Sequence, residues 1–507
     1  MHHLARQRAI SIPTFPKLFR FVTASLVLSI AVIAQEPRCF FPDQEYHRPP
    51  RNKTEGLPPC LQLNNPSGFD LAFIEFDQRG DFWDRDQLAA DSAAIKAAAK
   101  TGKNILLIEY VHGWHNNAHE GNPDRDPQER TRDVYKFRQL LGFLAQSPYV
   151  ERLHYRVFGV YIGWRGEMVR EDDRNFLTKP LWVAHNLSFY PEKHIGTDVG
   201  TMPMVTEAIF WLVHEARHAS PGARTILIGH SFGAMVLENA MAQAVGASVA
   251  GTPYEGHGAT GGSIYSPADL VLLLNSAADS MRAKGLEEML SRIGSSAAHY
   301  VDRNRPLIIS VTSTGDWATG KFFPLGTGLS NAFRHFRNYG LLNRRKLNPT
   351  VSQKYFATHT PGHNDYLRSH EVVVDSEQIA GSLPLPPLSP PDRGGTRTTF
   401  EKAFEENLAH PEPPEADGSQ RTWRFRSVGK SGVCWSIIRA IPGANNDTPY
   451  WILQVPPSVI KDHSDIYNQQ SLCLYAALFR IDSPVRAARI PAGPRLMKLI
   501  PLAPKSD

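Results

Sequence analysis

Among the residues that could do chemistry, Ser231 is singled out by its neighbours. It lies in Gly229-His230-Ser231-Phe232-Gly233, within TILIGHSFGAMVLENA (225–240). A serine hydroxyl becomes a nucleophile when an adjacent base takes its proton and fixed donors receive the resulting oxyanion. Glycines two residues either side allow a turn too tight for side chains. TILI before the motif reads as a strand, and AMVLENAMAQ after it reads as a helix. Such a helix start directs backbone N–H groups toward developing negative charge. The plainer alternative is a strand-to-helix turn holding an incidental serine. A nucleophile would also need a carboxylate and an imidazole, and there are 20 histidines to choose from. Asp279 follows LVLLLNSAA and Asp316 follows LIISVTSTG. Either could orient an imidazole, and either could simply cap a helix. The base candidates are His463, after YWILQV, and His363, in ATHTPGHNDYLRSH with His359 and His370.

These residues need a scaffold, and the sequence supplies a regular one. Strands are expected at 71–77, 104–114, 155–164, 223–231, 268–277, 305–316 and 449–455. Helices are expected at 86–100, 132–146, 204–218, 232–245 and 469–481. The strand segments are apolar on both faces and alternate with amphipathic helices. That pattern belongs to an α/β fold, a doubly wound and mostly parallel sheet flanked by helices. Ligands bind such sheets beyond the carboxyl ends of the strands.

Together these features resemble the α/β-hydrolase superfamily over about residues 70–485. A narrower similarity, to a loosely characterised group with a His-Gly-Trp or His-Gly-Tyr turn after the third core strand, rests on Val111-His112-Gly113-Trp114 with His115-Asn116-Asn117 following. GVYIGWRG (159–166) and TSTGDWATG (312–320) look like the same group. The resemblance implies the chain order Ser, acid, His. It favours Asp316, after the later strand, with Asp279 as the alternate. It favours His463, between the last strand and the last helix, with His363 as the alternate. It assigns the oxyanion hole to Phe232 and the Gly113-Trp114 turn. Asp462 and Asp465 then read as caps of the terminal helix. The implied activity is a serine hydrolase cleaving carboxylic esters, lipid esters included, through an acyl-enzyme and without a cofactor. An acyltransferase, a peptidase and a noncatalytic binding protein on the same fold remain alternatives.

Strand-end loops also carry Trp164, Arg165 and Trp317. With His112, His230 and Trp114 these could form an aromatic substrate pocket, with Arg165 holding an acidic group; core packing is the competing reading for the tryptophans. His112, His115 and His119 could instead form a metal site, although no cysteine or carboxylate with ligand spacing accompanies them. Residues 317–448 read as a long insert before the last strand. Part of it is a candidate lid, and the Pro-rich stretch 381–419 reads as linker.

The 507 residues, 42% hydrophobic, are ample for a large core. A net charge of +5 without a Lys/Arg block gives no nucleic-acid signature. Arg6, Arg8, Lys17 and Arg20 precede an apolar run at 21–34 that is shorter than the roughly 20 residues of a membrane span. Residues 1–34 therefore read as an export signal, or alternatively as an anchor giving membrane association. A Cys-containing extension (35–66), a catalytic domain (67–485) and a tail (486–507) follow. Cys39, Cys60, Cys434 and Cys473 fit an oxidising compartment, with Cys39–Cys60 and Cys434–Cys473 as the local pairing.

Overall fold

Mostly apolar runs such as NILLIEYV and RTILIGH become strands buried on both faces, because β-branched and leucine side chains fill the layers above and below a sheet. A computed structural model of the chain describes residues 61–77, 79–113, 116, 118, 132–164, 197, 199–250, 267–295, 306–330, 334–336, 338–339, 351–374, 383–386, 388, 397–409, 423–428, 434–440 and 449–481. The first half runs β1 (Leu61–Gln62), β2 (Asp70–Phe76), α1 (Asp86–Ala99), β3 (Asn104–Val111), α2 (Asp133–Ala145), α3 (Pro148–Arg152) and β4 (Tyr155–Trp164). Then come α4 (Pro203–Ala219), β5 (Arg224–His230), α5 (Phe232–Ala250), β6 (Leu270–Leu274), α6 (Ser280–Ser295) and β7 (Ile308–Ser313). A π-helical turn (Ala318–Phe322) leads into α7 (Phe323–Ser330), β8 (Asn338–Tyr339), β9 (Val351–Ser352) and α8 (Gln353–Thr358). After a 3₁₀ turn (Pro361–His363) the chain ends with β10 (His370–Val374), α9 (Thr399–Ala409), β11 (Trp423–Arg426), β12 (Cys434–Arg439), β13 (Tyr450–Val455) and α10 (Gln469–Phe479).

Eleven of these strands form one sheet in the order β1-β2-β4-β3-β5-β6-β7-β13-β10-β12-β11. From β2 to β10 every neighbouring pair is parallel; β1, β12 and β11 pair antiparallel at the margins. The period-2 alternation of strand side chains builds two cores. Leu106, Ile108, Ile226, Ile228 and Leu272 face α2, α9 and α10. Ile105, Leu107, Leu227, Val271 and Leu273 face α1, α4, α5 and α6. The chain leaves β3 toward β4 on one side and leaves β5 toward β6 on the other. The carboxyl ends of β3 and β5 therefore flank the switch point, where such sheets open a crevice.

Three expectations need correction. The insert 317–448 is not wholly outside the sheet: β10, β11 and β12 extend it, so β13, the last strand in sequence, lies inside it. Nor is 381–419 only linker. It contains α9, whose Phe400, Phe404 and Leu408 are buried, and Leu388 packs on Gly142. These strands are short and only partly apolar; Val372, Phe425, Trp435 and Ile437 are their buried apolar side chains. The Cys434–Cys473 bridge is also absent, since Cys473 is a free, buried thiol whose pKa burial pushes up. Cys39 and Cys60, with the segments 1–34 and 486–507, lie outside the described residues.

Trp435 measures the insert's contribution. It is fully buried, edge-on to Phe425 at 5.6 Å. Trp435→Ala should cost about 3–5 kcal/mol in denaturant unfolding; a change near zero would mean that β11 and β12 add nothing to the core.

Candidate active site

The strand–turn–helix expected around Ser231 forms as β5 running into α5, with Ser231 at φ 55°, a left-handed conformation that a serine rarely adopts. Backbone contact imposes the flanking glycines. A Cβ at Gly229 would lie 2.7 Å from Ala234 Cα, and one at Gly233 would lie 2.2 Å from the Val111 carbonyl oxygen. The turn is pinned further by Ser231 N–H donating to Leu274 O at 2.9 Å and Ala277 N–H donating to Ser231 O at 3.1 Å. Across the crevice, Gly113 approaches so closely that a Cβ there would sit 2.9 Å from Ser231 Cβ.

The structure brings Ser231, His463 and Asp316 into one hydrogen-bonded line. His463 Nε2 is 2.8 Å from Ser231 Oγ, and His463 Nδ1 is 2.9 Å from Asp316 Oδ2. A carboxylate only accepts, so Nδ1 carries the proton and Nε2 is left to accept from the serine hydroxyl. Asp316 follows β7, and its carboxylate is further held by the Thr319 hydroxyl and by Thr319 N–H at 3.1 Å. Burial works to raise its pKa, but the charge and hydrogen bond of His463, with the Thr319 bonds, outweigh it and bring it to about 2. Burial also works to lower the His463 pKa; Asp316 outweighs it and leaves the imidazole more basic than usual.

The loop carrying His463 is fixed by residues that sequence reasoning assigned elsewhere or passed over. Asn275, just after β6, is left-handed at φ 45° and fully buried. Its amide donates to the carbonyl oxygens of Asp462 and His463 at 3.3 and 3.0 Å, and its own oxygen accepts from Ser313 N–H at 2.9 Å. The available signal was an asparagine ending an apolar strand, a type that tolerates this conformation. His230 also binds the His463 carbonyl, through Nε2 at 2.9 Å. Asp462 and Asp465 do not cap α10: they accept backbone N–H groups within the loop, and Asn468 makes the capping box with Ser471.

Other expected site residues fall differently. His112 and Trp164 are buried and stacked at 5.5 Å, so they support the site rather than line a pocket. His112 Nδ1 bonds the Gly113 carbonyl at 2.8 Å and Nε2 accepts from Trp164 N–H at 2.9 Å, which leaves neither nitrogen for a metal. Burial holds His112 down at about 4; burial and then the neighbouring His463 do the same for His230. His230 is buried as well, with its Nε2 engaged by the His463 carbonyl. Trp317 is exposed beside Lys321. Asp279 pairs with Arg282 at 3.6 Å and accepts its N–H at the start of α6. His363 lies over Gly320, and its Nε2 has no hydrogen-bond partner among the described residues. Phe232 opens α5 one bond after Ser231. Trp114, Arg165, His115 and His119 lie outside the described residues.

On α4, His214-Glu215-Ala216-Arg217-His218 matches the spacing of a zinc-protease helix. The structure argues against that reading. Glu215 is turned inward to pair with Lys96, both histidines face solvent, and the described residues contain no group of three metal-ligating side chains.

Comparison with known proteins finds no matching family model, no matching curated protein and no matching solved structure.

NMR titration of the ring protons checks the electrostatics. His463 should titrate above the ordinary value of about 6.5, while His112 and His230 stay neutral until about pH 4. Asp316→Asn should shift the His463 transition to lower pH. An unshifted His463 would mean that the carboxylate does not hold the imidazole.

Proposed function

We propose that this chain is an α/β-hydrolase that cleaves carboxylic esters through an acyl-enzyme on Ser231. The observation carrying the reading is the Ser231–His463–Asp316 line at 2.8 and 2.9 Å, ending on a left-handed serine between strand and helix. Its chain order is Ser, Asp, His, and a second tight turn follows β3, where this fold takes an oxyanion donor. His463 Nε2 removes the Ser231 proton as Oγ attacks the ester carbonyl carbon. The imidazolium so formed is stabilised by Asp316, which stays ionised. Negative charge gathers on the former carbonyl oxygen, within reach of the Phe232 N–H at the start of α5. Each such donor is worth about 10²–10³ in rate. His463 then protonates the departing alkoxide. Water, deprotonated by the same nitrogen, attacks the acyl carbon and frees Ser231. Export through residues 1–34 belongs to the same proposal.

The purified chain should hydrolyse short p-nitrophenyl esters. Ser231→Ala and His463→Ala should each lose at least about 10⁴-fold in kcat. His363→Ala should keep the activity, because His363 is outside the relay. The rate should climb with pH through the His463 transition, since only the neutral ring accepts the serine proton. Full activity in Ser231→Ala would remove the nucleophile; loss in His363→Ala alone would move the base.

A further inference from the structure

The segment that follows Asp316 has two distinct faces. Thr319, Phe323 and Thr327 recur every four residues and are buried. Thr319 binds Asp316, and the Thr327 hydroxyl donates to Phe323 O at 2.7 Å. The opposite stripe is Trp317, Lys321 and Leu325, with Phe322 beside it. Trp317 is 59% exposed, Phe322 54% and Leu325 72%. The other exposed large apolar side chains among the described residues, Leu63, Trp211, Val373 and Leu383, are far apart in sequence, whereas these three share two helical turns. Lys321 lays its ammonium over the Trp317 ring, 3.6 Å from the centroid.

We propose that this stripe docks the protein on an anionic lipid surface and presents ester-bearing lipid to the triad. The inference rests on the hydrolase reading for its substrate, but not for the docking itself. Residue chemistry selects the occupant. An indole with an adjacent ammonium suits the headgroup region, where the ring meets acyl chains and the cation meets phosphate. Phe322 and Leu325 reach past it as apolar anchors, as on interfacial helices. Lysine is depleted from the centres of protein–protein interfaces, so a lysine amid this patch argues against a protein partner. Location supplies the purpose. Trp317 is bonded to the acid of the relay, and the Gly320 N–H donates to the Asp316 carbonyl at 3.0 Å. The stripe thus begins at the residue next to Asp316, whose partner His463 is the exposed end of that pair.

Hydrogen–deuterium exchange of the full chain tests this locally, whatever the N-terminal segment does. With vesicles of phosphatidylcholine and phosphatidylglycerol, amides in 317–328 should exchange about tenfold more slowly than without them. Phe322→Ser with Leu325→Ser should lose that protection while hydrolysing a soluble short ester at the wild-type rate. Lys321→Glu should lose it on anionic vesicles. Exchange unchanged by vesicles would overturn the proposal. So would protection that follows protein concentration in place of lipid, which would mark a self-association face. Ser231→Ala should retain full lipid-dependent protection. A chain inert toward every ester but protected by lipid would thus sink the hydrolase reading and leave the docking face standing.

Discussion

A serine held in left-handed backbone conformation is the constraint around which the crevice is arranged. Such a residue costs about 1–3 kcal/mol and persists only when its surroundings over-determine it. Here they do. Gly229 and Gly233 let α5 start in direct contact with the ends of β3 and β5, and neither position has room for a Cβ. Ser231 is bonded through its own N–H to the last residue of β6 and through its C=O to the segment after it. Because β3, β5 and β6 are neighbours in a parallel sheet buried on both faces, the strain is shared by the stiffest part of the molecule.

The same economy governs the histidine. His463 sits on a loop, where side chains are ordinarily mobile. Its carbonyl, however, is held by both Asn275 and His230, and its ring by Asp316. Asn275 ties the ends of β6 and β7 to that loop, so the elements carrying Asp316 and His463 are joined by one buried amide. The neutrality of His230 matters too. Its ring lies 5.0 Å from that of His463, and a charge on it would oppose protonation of His463. Burial removes that competition.

Much of this was legible in the sequence, for physical reasons. Doubly buried strands are continuous apolar runs, so β3, β5, β6, β7 and β13 could be read directly. A strained elbow demands glycines, and those glycines are visible. His463 could be preferred over His363 because a strong strand and a strong helix bracket it. What escaped was whatever depends on partners distant in the chain. β10, β11 and β12 are short strands on either side of proline-rich text, and only pairing beside β13 makes them strands. Trp164 and His112 read as pocket residues because their mutual stacking across two strands has no local sign. Asn275 and the inward turn of Glu215 were hidden for the same reason.

The central claim is that Ser231 attacks and that its surroundings receive the resulting negative charge. A crystal structure of the chain reacted with a phosphonate ester, which mimics the tetrahedral intermediate, tests both parts at once. The account predicts phosphorus bonded to Ser231 Oγ, one phosphonyl oxygen facing the Phe232 N–H and the Gly113 turn, and His463 still joined to Asp316. A reagent bonded to another residue, or an oxygen turned away from α5, would contradict it.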